Sequence, residues 1–98
     1  MNLTSKVKLE NGILTLSLFN EEQIEVGYIQ GKLLSDRLNL EHTIVNENFQ
    51  GLGLGSKLVE LALEYAKIHQ LKLVPICSYT KKYFTKHPEY KNLLINLD

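Results

Sequence analysis

Apolar and polar side chains alternate along the first half of the chain and recur every three to four residues along much of the second. In "KVKLENGILTLSL" (6–18) the alternation runs on both sides of Asn11-Gly12. That dipeptide favours the two-residue turn of a β-hairpin, so two antiparallel strands are expected here. Ile13, Leu14, Leu16 and Leu18 make the second strand largely apolar. "EEQIEVGYIQG" (21–31) predicts a third strand with Ile24, Val26 and Tyr28 on one face and Gly31 at its end. "RLNLEHTIV" (37–45) predicts a fourth, with Leu38, Leu40, His42 and Ile44 on one face and Asn39, Glu41, Thr43 and Val45 on the other. Strands joined this closely form an antiparallel meander.

From Gly53 to Gln70 the period changes. Leu54, Leu58, Leu61, Ala62, Tyr65 and Ala66 share a helical face, widened by Val59 and Leu63, while Lys57, Glu60, Glu64 and Lys67 take the other. "LKLVPIC" (71–77) is short and apolar and predicts a fifth strand, parallel to the fourth through a right-handed crossover. "SYTKKYFTK" (78–86) reads as a two-turn helix, and Pro88 in "HPEYKNLLINL" (87–97) suits the first turn of another. The expected class is therefore α/β, of the α+β type, in one domain over residues 1–98.

Composition narrows the function. Eleven basic residues balance eleven acidic ones, so the chain lacks the excess positive charge of a nucleic-acid binder. Lys81, Lys82, Lys86 and Lys91 nevertheless crowd the last quarter. The single cysteine, Cys77, excludes an intrachain disulfide, and no apolar run approaches the length of a membrane span. A cytoplasmic protein, monomeric or a weak homodimer, with neither a membrane nor a nucleic-acid partner, is the expectation.

The densest signal is "NFQGLGLGSKL" (48–58), where Gly51, Gly53 and Gly55 stand between the fourth strand and the main helix. The first amides of a helix have no internal acceptors, and the dipole adds partial positive charge there. Glycines clear the approach, which suits a phosphate or diphosphate. The spacing fits neither G-x-x-x-x-G-K-[ST] nor G-x-G-x-x-G. A turn that merely permits close helix–sheet packing is the other reading.

Gln50-Gly51-Leu52-Gly53-Leu54-Gly55 resembles the Q/R-x-x-G-x-G/A loop of the GNAT-superfamily N-acetyltransferases, in the position where that family carries it. With His42-Thr43, Pro75-Ile76-Cys77-Ser78-Tyr79 and His87-Pro88-Glu89-Tyr90, the whole chain is similar to the very small GNAT-like proteins of about this length. The resemblance implies a GNAT-like fold and transfer of acetyl from acetyl-CoA to an amine, either a small molecule or a protein lysine. It implies CoA as co-substrate and no metal. It also implies that the diphosphate rests on Gln50 to Ser56 and the pantetheine arm on Ile44, Val45 and Asn46. Larger members have helices between the first two strands. Asn11-Gly12 replaces them here and leaves the acceptor side open, so a non-catalytic CoA-binding module acting through a protein partner is the rival reading.

Within that frame Cys77 reads as a nucleophile, as a proton donor to CoA thiolate, or as a small buried hydrophobe. His42 reads as a general base or a structural histidine, and Glu41 as a base through water. Tyr79 and Tyr83 are candidates to protonate the thiolate, or simply pack their helix, and Tyr79 and Cys77 are candidates to contact CoA. The lysines beside them lie within reach of the CoA 3′-phosphate.

Overall fold

The computed structural model describes residues 1–95, and the final residues of the expected C-terminal segment lie outside that range. One sheet, in the order β1-β2-β3-β4-β5, forms the body of the fold. Its strands are β1 Thr4–Glu10, β2 Ile13–Phe19, β3 Glu25–Leu33, β4 Arg37–Val45 and β5 Lys72–Pro75. The first four pair antiparallel, and β5 runs parallel to β4. Helix α1, Leu54–Ile68, makes the crossover, α2, Ser78–Lys86, follows β5, and a 3₁₀ segment spans Pro88–Leu93. Pro88 occupies its first turn as expected, but the tighter helix form was not foreseen.

Asn11 and Gly12 take φ values of 53° and 79°, the paired positive angles of the primed hairpin turn. The β1–β2 register is uninterrupted from Glu10↔Ile13 to Thr4↔Phe19. Leu14, Leu16 and Leu18 are buried on the face covered by α1. On the outer strand Val7 and Leu9 share that face, yet both are more than half exposed, because α1 does not reach them.

Two bulges revise the expected faces. The register between β2 and β3 shifts at Leu18/Phe19, and that between β3 and β4 shifts at Gln30/Gly31. An extra residue in one strand reverses the inside–outside alternation beyond it. On β3 the face toward α1 therefore carries Gly27 and Ile29, with Val26 joining them at the bulge. Ile24 lies outside the strand and Tyr28 faces away. On β4, Glu41 is the extra residue: Gly31 pairs with Leu40 and Gln30 with His42. Leu38 and Leu40 point into the core before it, and Thr43 and Val45 point the same way after it. His42 and Ile44 are turned to the opposite, exposed face, separating them from Leu38 and Leu40. Gly31 does not end β3. It lies inside the strand where a Cβ would stand 1.5 Å from the Asn39 carbonyl oxygen.

Helix α1 buries Leu54, Leu58, Val59, Ala62, Leu63 and Ala66, while Leu61 and Tyr65 sit at the margin of the stripe. Leu58 packs over Gly27, where a Cβ would come within 3.2 Å of the leucine Cδ1. The helix ends at Ile68, before the expected Gln70. Gln70 takes φ 55°, and the Gln70 and Leu71 amides bond to the Lys67 and Ala66 carbonyls. This is a Schellman close with glutamine in the position usually given to glycine.

Candidate active site

The β4–β5 ladder runs from Arg37↔Lys72 to Leu40↔Pro75 and stops. Proline carries no amide hydrogen, and the next two amides, of Ile76 and Cys77, both donate to the Leu40 carbonyl at 3.0 Å. The chain pivots there. Beyond Leu40 the far edge of β4 has no β5 partner, which opens a split along Glu41 to Val45. Cys77 does not close β5 as expected. It is the N-cap of α2, beyond the end of the strand.

At the other end of the split, Asn46 starts a short 3₁₀ turn, Glu47–Phe49, its side chain accepting from the Asn48 amide. Gln50, Gly51 and Leu52 follow, all exposed. Gly51 has φ 83° and Gly53 φ 76°, the left-handed region that side chains disfavour. Gly53 is the N-cap of α1 and provides no side-chain hydrogen bond to the first turn, formed by Leu54, Gly55 and Ser56. A Cβ at Gly51 or Gly53 would meet nothing within 4 Å. The cradle is open, its amides are uncapped, and it fits an anionic group.

Gly55 serves a different purpose. A Cβ there would lie 2.6 Å from the Tyr79 hydroxyl, so this glycine admits the tyrosine over the first turn of α1. The same hydroxyl is 3.4 Å from Ser56 Oγ. Tyr79 thus stands at the anion cradle, 40% exposed. Tyr83 is packed into the core cluster and stacks on His87 at 4.3 Å. Burial, followed by the negative field of Tyr90, Glu60 and Glu89, holds its hydroxyl above the usual phenol range.

Cys77 faces two threonines. Its Sγ is 3.5 Å from Thr43 Oγ1 and 3.3 Å from Thr80 Oγ1. Burial by itself raises the thiol's pKa. The Thr43 and Thr80 hydroxyls and the backbone amides of Thr80 and Tyr79 oppose it and prevail, leaving the group below the ordinary thiol range. Thr80 has a single proton, which it gives to the Cys77 carbonyl at 3.0 Å. A thiolate therefore depends chiefly on Thr43 and the amides. His42, next to Thr43 along β4, faces away from this cluster, so the structure brings Cys77 together with Thr43 and Thr80 and leaves His42 apart. Neither threonine stood out as functional in the sequence. The sign was present as Cys-x-x-Thr at a helix start, with Thr80 at the third helical position behind Cys77. Among the described residues no group of three or more His, Cys, Asp or Glu side chains is placed to hold a metal ion. No helix there is long and apolar enough to cross a membrane.

A parallel strand splayed from a meander, with a glycine loop opening the helix between them, has clear structural counterparts. The NMR structure of a GCN5-like protein from Staphylococcus aureus superimposes with a TM-score of 0.67 at 23% identity, over 95% of this chain and 90% of that one. The ribosomal-protein-alanine N-acetyltransferase of Brucella melitensis biovar Abortus 2308 gives 0.66 at 16% identity. The match spans 91% of this chain but only 66% of that longer protein. AAC(6′)-Iy, solved with the bisubstrate analogue CoA-S-monomethyl-acetylneamine, gives 0.57 at 11% identity, over 86% of this chain and 62% of that one. These likenesses bear out the α/β, GNAT-like fold expected from the sequence. The sequence profile of the GCN5-related N-acetyl-transferases matches residues 16–93, and the chain belongs to that family.

Proposed function

We propose that the protein transfers an acetyl group from acetyl-CoA to an amine, and that its 98 residues act as one acetyl-CoA-binding domain in the cytoplasm. The observation that carries this reading is the continuity of the site. An unpaired stretch of β4 leads from the Cys77 thiol to an uncapped helix N-terminus behind two glycines at positive φ. Family membership and fold support acetyl transfer in general, and a neighbour of the same fold bound to a CoA-linked analogue supports CoA as the carrier. In this reading the α1 amides, with Gln50 to Ser56, take the diphosphate, and Tyr79 closes over it. Ile44, Val45 and Asn46 border the pantetheine arm, presenting β4 backbone to its amides.

The amine nitrogen attacks the thioester carbonyl carbon. A C–N bond forms, the C–S bond breaks, and the proton lost by the amine leaves on CoA as its thiol. Cys77 has two possible places in this scheme. As a thiol it protonates the departing sulfur. As a thiolate it first accepts the acetyl group, releasing CoA, and the amine then takes the group from it. Intact mass after exposure to acetyl-CoA separates the two routes: a gain that disappears in Cys77→Ala assigns the second.

A substitution at Gly53 would confound ligand loss with backbone strain, since φ is 76° there. Ser56→Asp avoids this. A carboxylate in the first turn of α1 favours the helix but repels a diphosphate. The variant is expected to unfold at the same or a slightly higher temperature while acetyl-CoA affinity falls at least tenfold by calorimetric titration, the cost of like charges a few ångströms apart. Unchanged affinity would remove the loop from the proposal.

One observation favours the second reading, a CoA-binding module working through a partner. Among the described residues, the side chains bonded to the Cys77 sulfur are two threonine hydroxyls, and no base is among them. Release of free CoA thiol from acetyl-CoA in the presence of mixed amines decides between the two. Tight binding with no release in any amine pool establishes the module.

A further inference from the structure

The two edges of the sheet are finished differently. At β5 the C-terminal segment adds a bridge, Leu73 to Leu94. At β1 nothing among the described residues pairs with the outer side. The two-residue turn makes Glu10 and Ile13 the closing hydrogen-bonded pair of the hairpin, and an antiparallel ladder alternates from there. The backbone groups of Lys6 and Lys8 therefore point at β2, while those of Ser5, Val7 and Leu9 point outward. The Val7 and Leu9 side chains are also 59% and 54% exposed. Beside them a groove of about 400 Å³ runs between Val7 and Leu16 on the sheet and Leu61, Tyr65 and Ile68 on α1.

Lysines on an open edge usually keep a second strand away. Here Lys6, Lys8 and Glu10 share the face opposite Val7 and Leu9, and the segment Lys6-Val7-Lys8-Leu9-Glu10 is complementary to its own reverse. With Lys8 on a two-fold axis, Lys6 stands opposite Glu10 and Val7 opposite Leu9, each twice by symmetry. The outward backbone groups of Val7 and Leu9 then meet each other. Lys6 has no carboxylate partner among the described residues and rests 4.5 Å over the Phe19 ring, so it is free to take one. The single like-charge pair, Lys8 with its copy, is flanked diagonally by both Glu10 carboxylates, and Lys8 already lies 3.8 Å from Glu10 in its own chain. An axis at Val7 would set Lys6 against Lys8 twice. An axis at Leu9 would put Val7 opposite Asn11 in the turn.

We propose that the protein pairs with a second copy of itself through β1, antiparallel, with Lys8 at the two-fold axis. The two five-stranded sheets become one, and both α1 helices lie on the same face of it. Leu9 of the second copy stands against Val7 at the mouth of the groove. So short a contact falls below the ~1,200 Å² of a standard interface, and the dimer is weak. The candidate active sites, between β4 and β5, lie at the two far ends of the joined sheet and work separately. The pairing does not depend on the acetyl-CoA reading.

Analytical ultracentrifugation of the ligand-free protein, at concentrations up to the order of 1 mM, tests it. The wild type is expected to pass from one chain toward two as concentration rises. Lys6→Glu alone and Glu10→Lys alone each set like charges opposite one another twice, and each should weaken association about tenfold or more. The Lys6→Glu/Glu10→Lys double variant exchanges the charges and should return association to within about threefold of the wild type. Both positions are exposed, so the variants keep the fold, as unchanged thermal unfolding would show. A wild type that stays one chain at the highest concentration overturns the proposal. So do single variants that associate like the wild type, or a double variant no better than the singles.

Discussion

Thr43 fixes the character of Cys77. It reaches the sulfur because the Glu41 bulge reverses β4 and turns position 43 inward. Among the described residues its hydroxyl donates to no carbonyl, so its proton is available to a thiolate, whereas Thr80's is committed to the Cys77 carbonyl. The pH dependence follows from the lowered pKa of the folded thiol. A group whose folded pKa is depressed adds stability above its unfolded pKa and loses it as pH falls through the folded one. The thiolate should therefore persist at a pH where free cysteine is already protonated. Alkylation by iodoacetamide, followed against pH, is expected to show a midpoint below that of free cysteine. Thr43→Val, which keeps shape and removes the donor, should move the midpoint upward. A midpoint indifferent to Thr43→Val would assign the depression to Thr80 and the α2 amides.

At the scale of elements, the ends of α1 are unlike. The N-terminus is left open by Gly53, while the C-terminus closes on itself with Gln70 at φ 55°. Glutamine in that region carries a strain of about 1–2 kcal/mol that glycine does not, offset in part by glycine's greater freedom in the unfolded chain. Gln70→Gly is thus expected to stabilise the fold by about 0.5–1 kcal/mol, raising the thermal midpoint by a few degrees, as differential scanning calorimetry would show. A fall would mean that the glutamine side chain contributes a contact worth more than the strain.

The elements themselves were legible because hydrophobic period reports local geometry. The Asn11-Gly12 turn, the span of α2 and the glycine loop opening α1 all follow from residues within a few positions of one another. The faces of β3 and β4 beyond the bulges were not legible. A bulge is decided by pairing between distant segments, and one extra residue reverses every side chain after it. That is why His42, grouped with Leu38 and Leu40 by alternation, lies on the opposite face, and why Thr43 was missed. The close approach of Tyr79 to Gly55 was hidden for a similar reason, because β5 and the start of α2 bring the ring there.

For the whole molecule, size makes stability and ligand binding hard to separate. A sheet and helices built from fewer than a hundred residues enclose a limited core. Leu58 is at its centre, fully buried and seated on Gly27, linking α1 to β3 just behind the cradle. Truncation of such a leucine costs about 2–5 kcal/mol, a large part of the 5–15 kcal/mol typical of a domain. A ligand bound only by the folded state returns about 2.7 kcal/mol at one hundred times its dissociation constant. Leu58→Ala is therefore expected to melt well below the wild type and to recover by about 10 °C or more when acetyl-CoA is added at that excess, at 4–8 °C for each kcal/mol. Hydrogen exchange locates the source of the recovery. Excess protection should concentrate at the amides of 51–56, the free edge of β4 and the start of α2, and leave the outer edge of β1 as it was. Protection spread evenly over the sheet, or recovery with no added protection at 51–56, would mean that acetyl-CoA stabilises the fold from somewhere other than the mouth of α1.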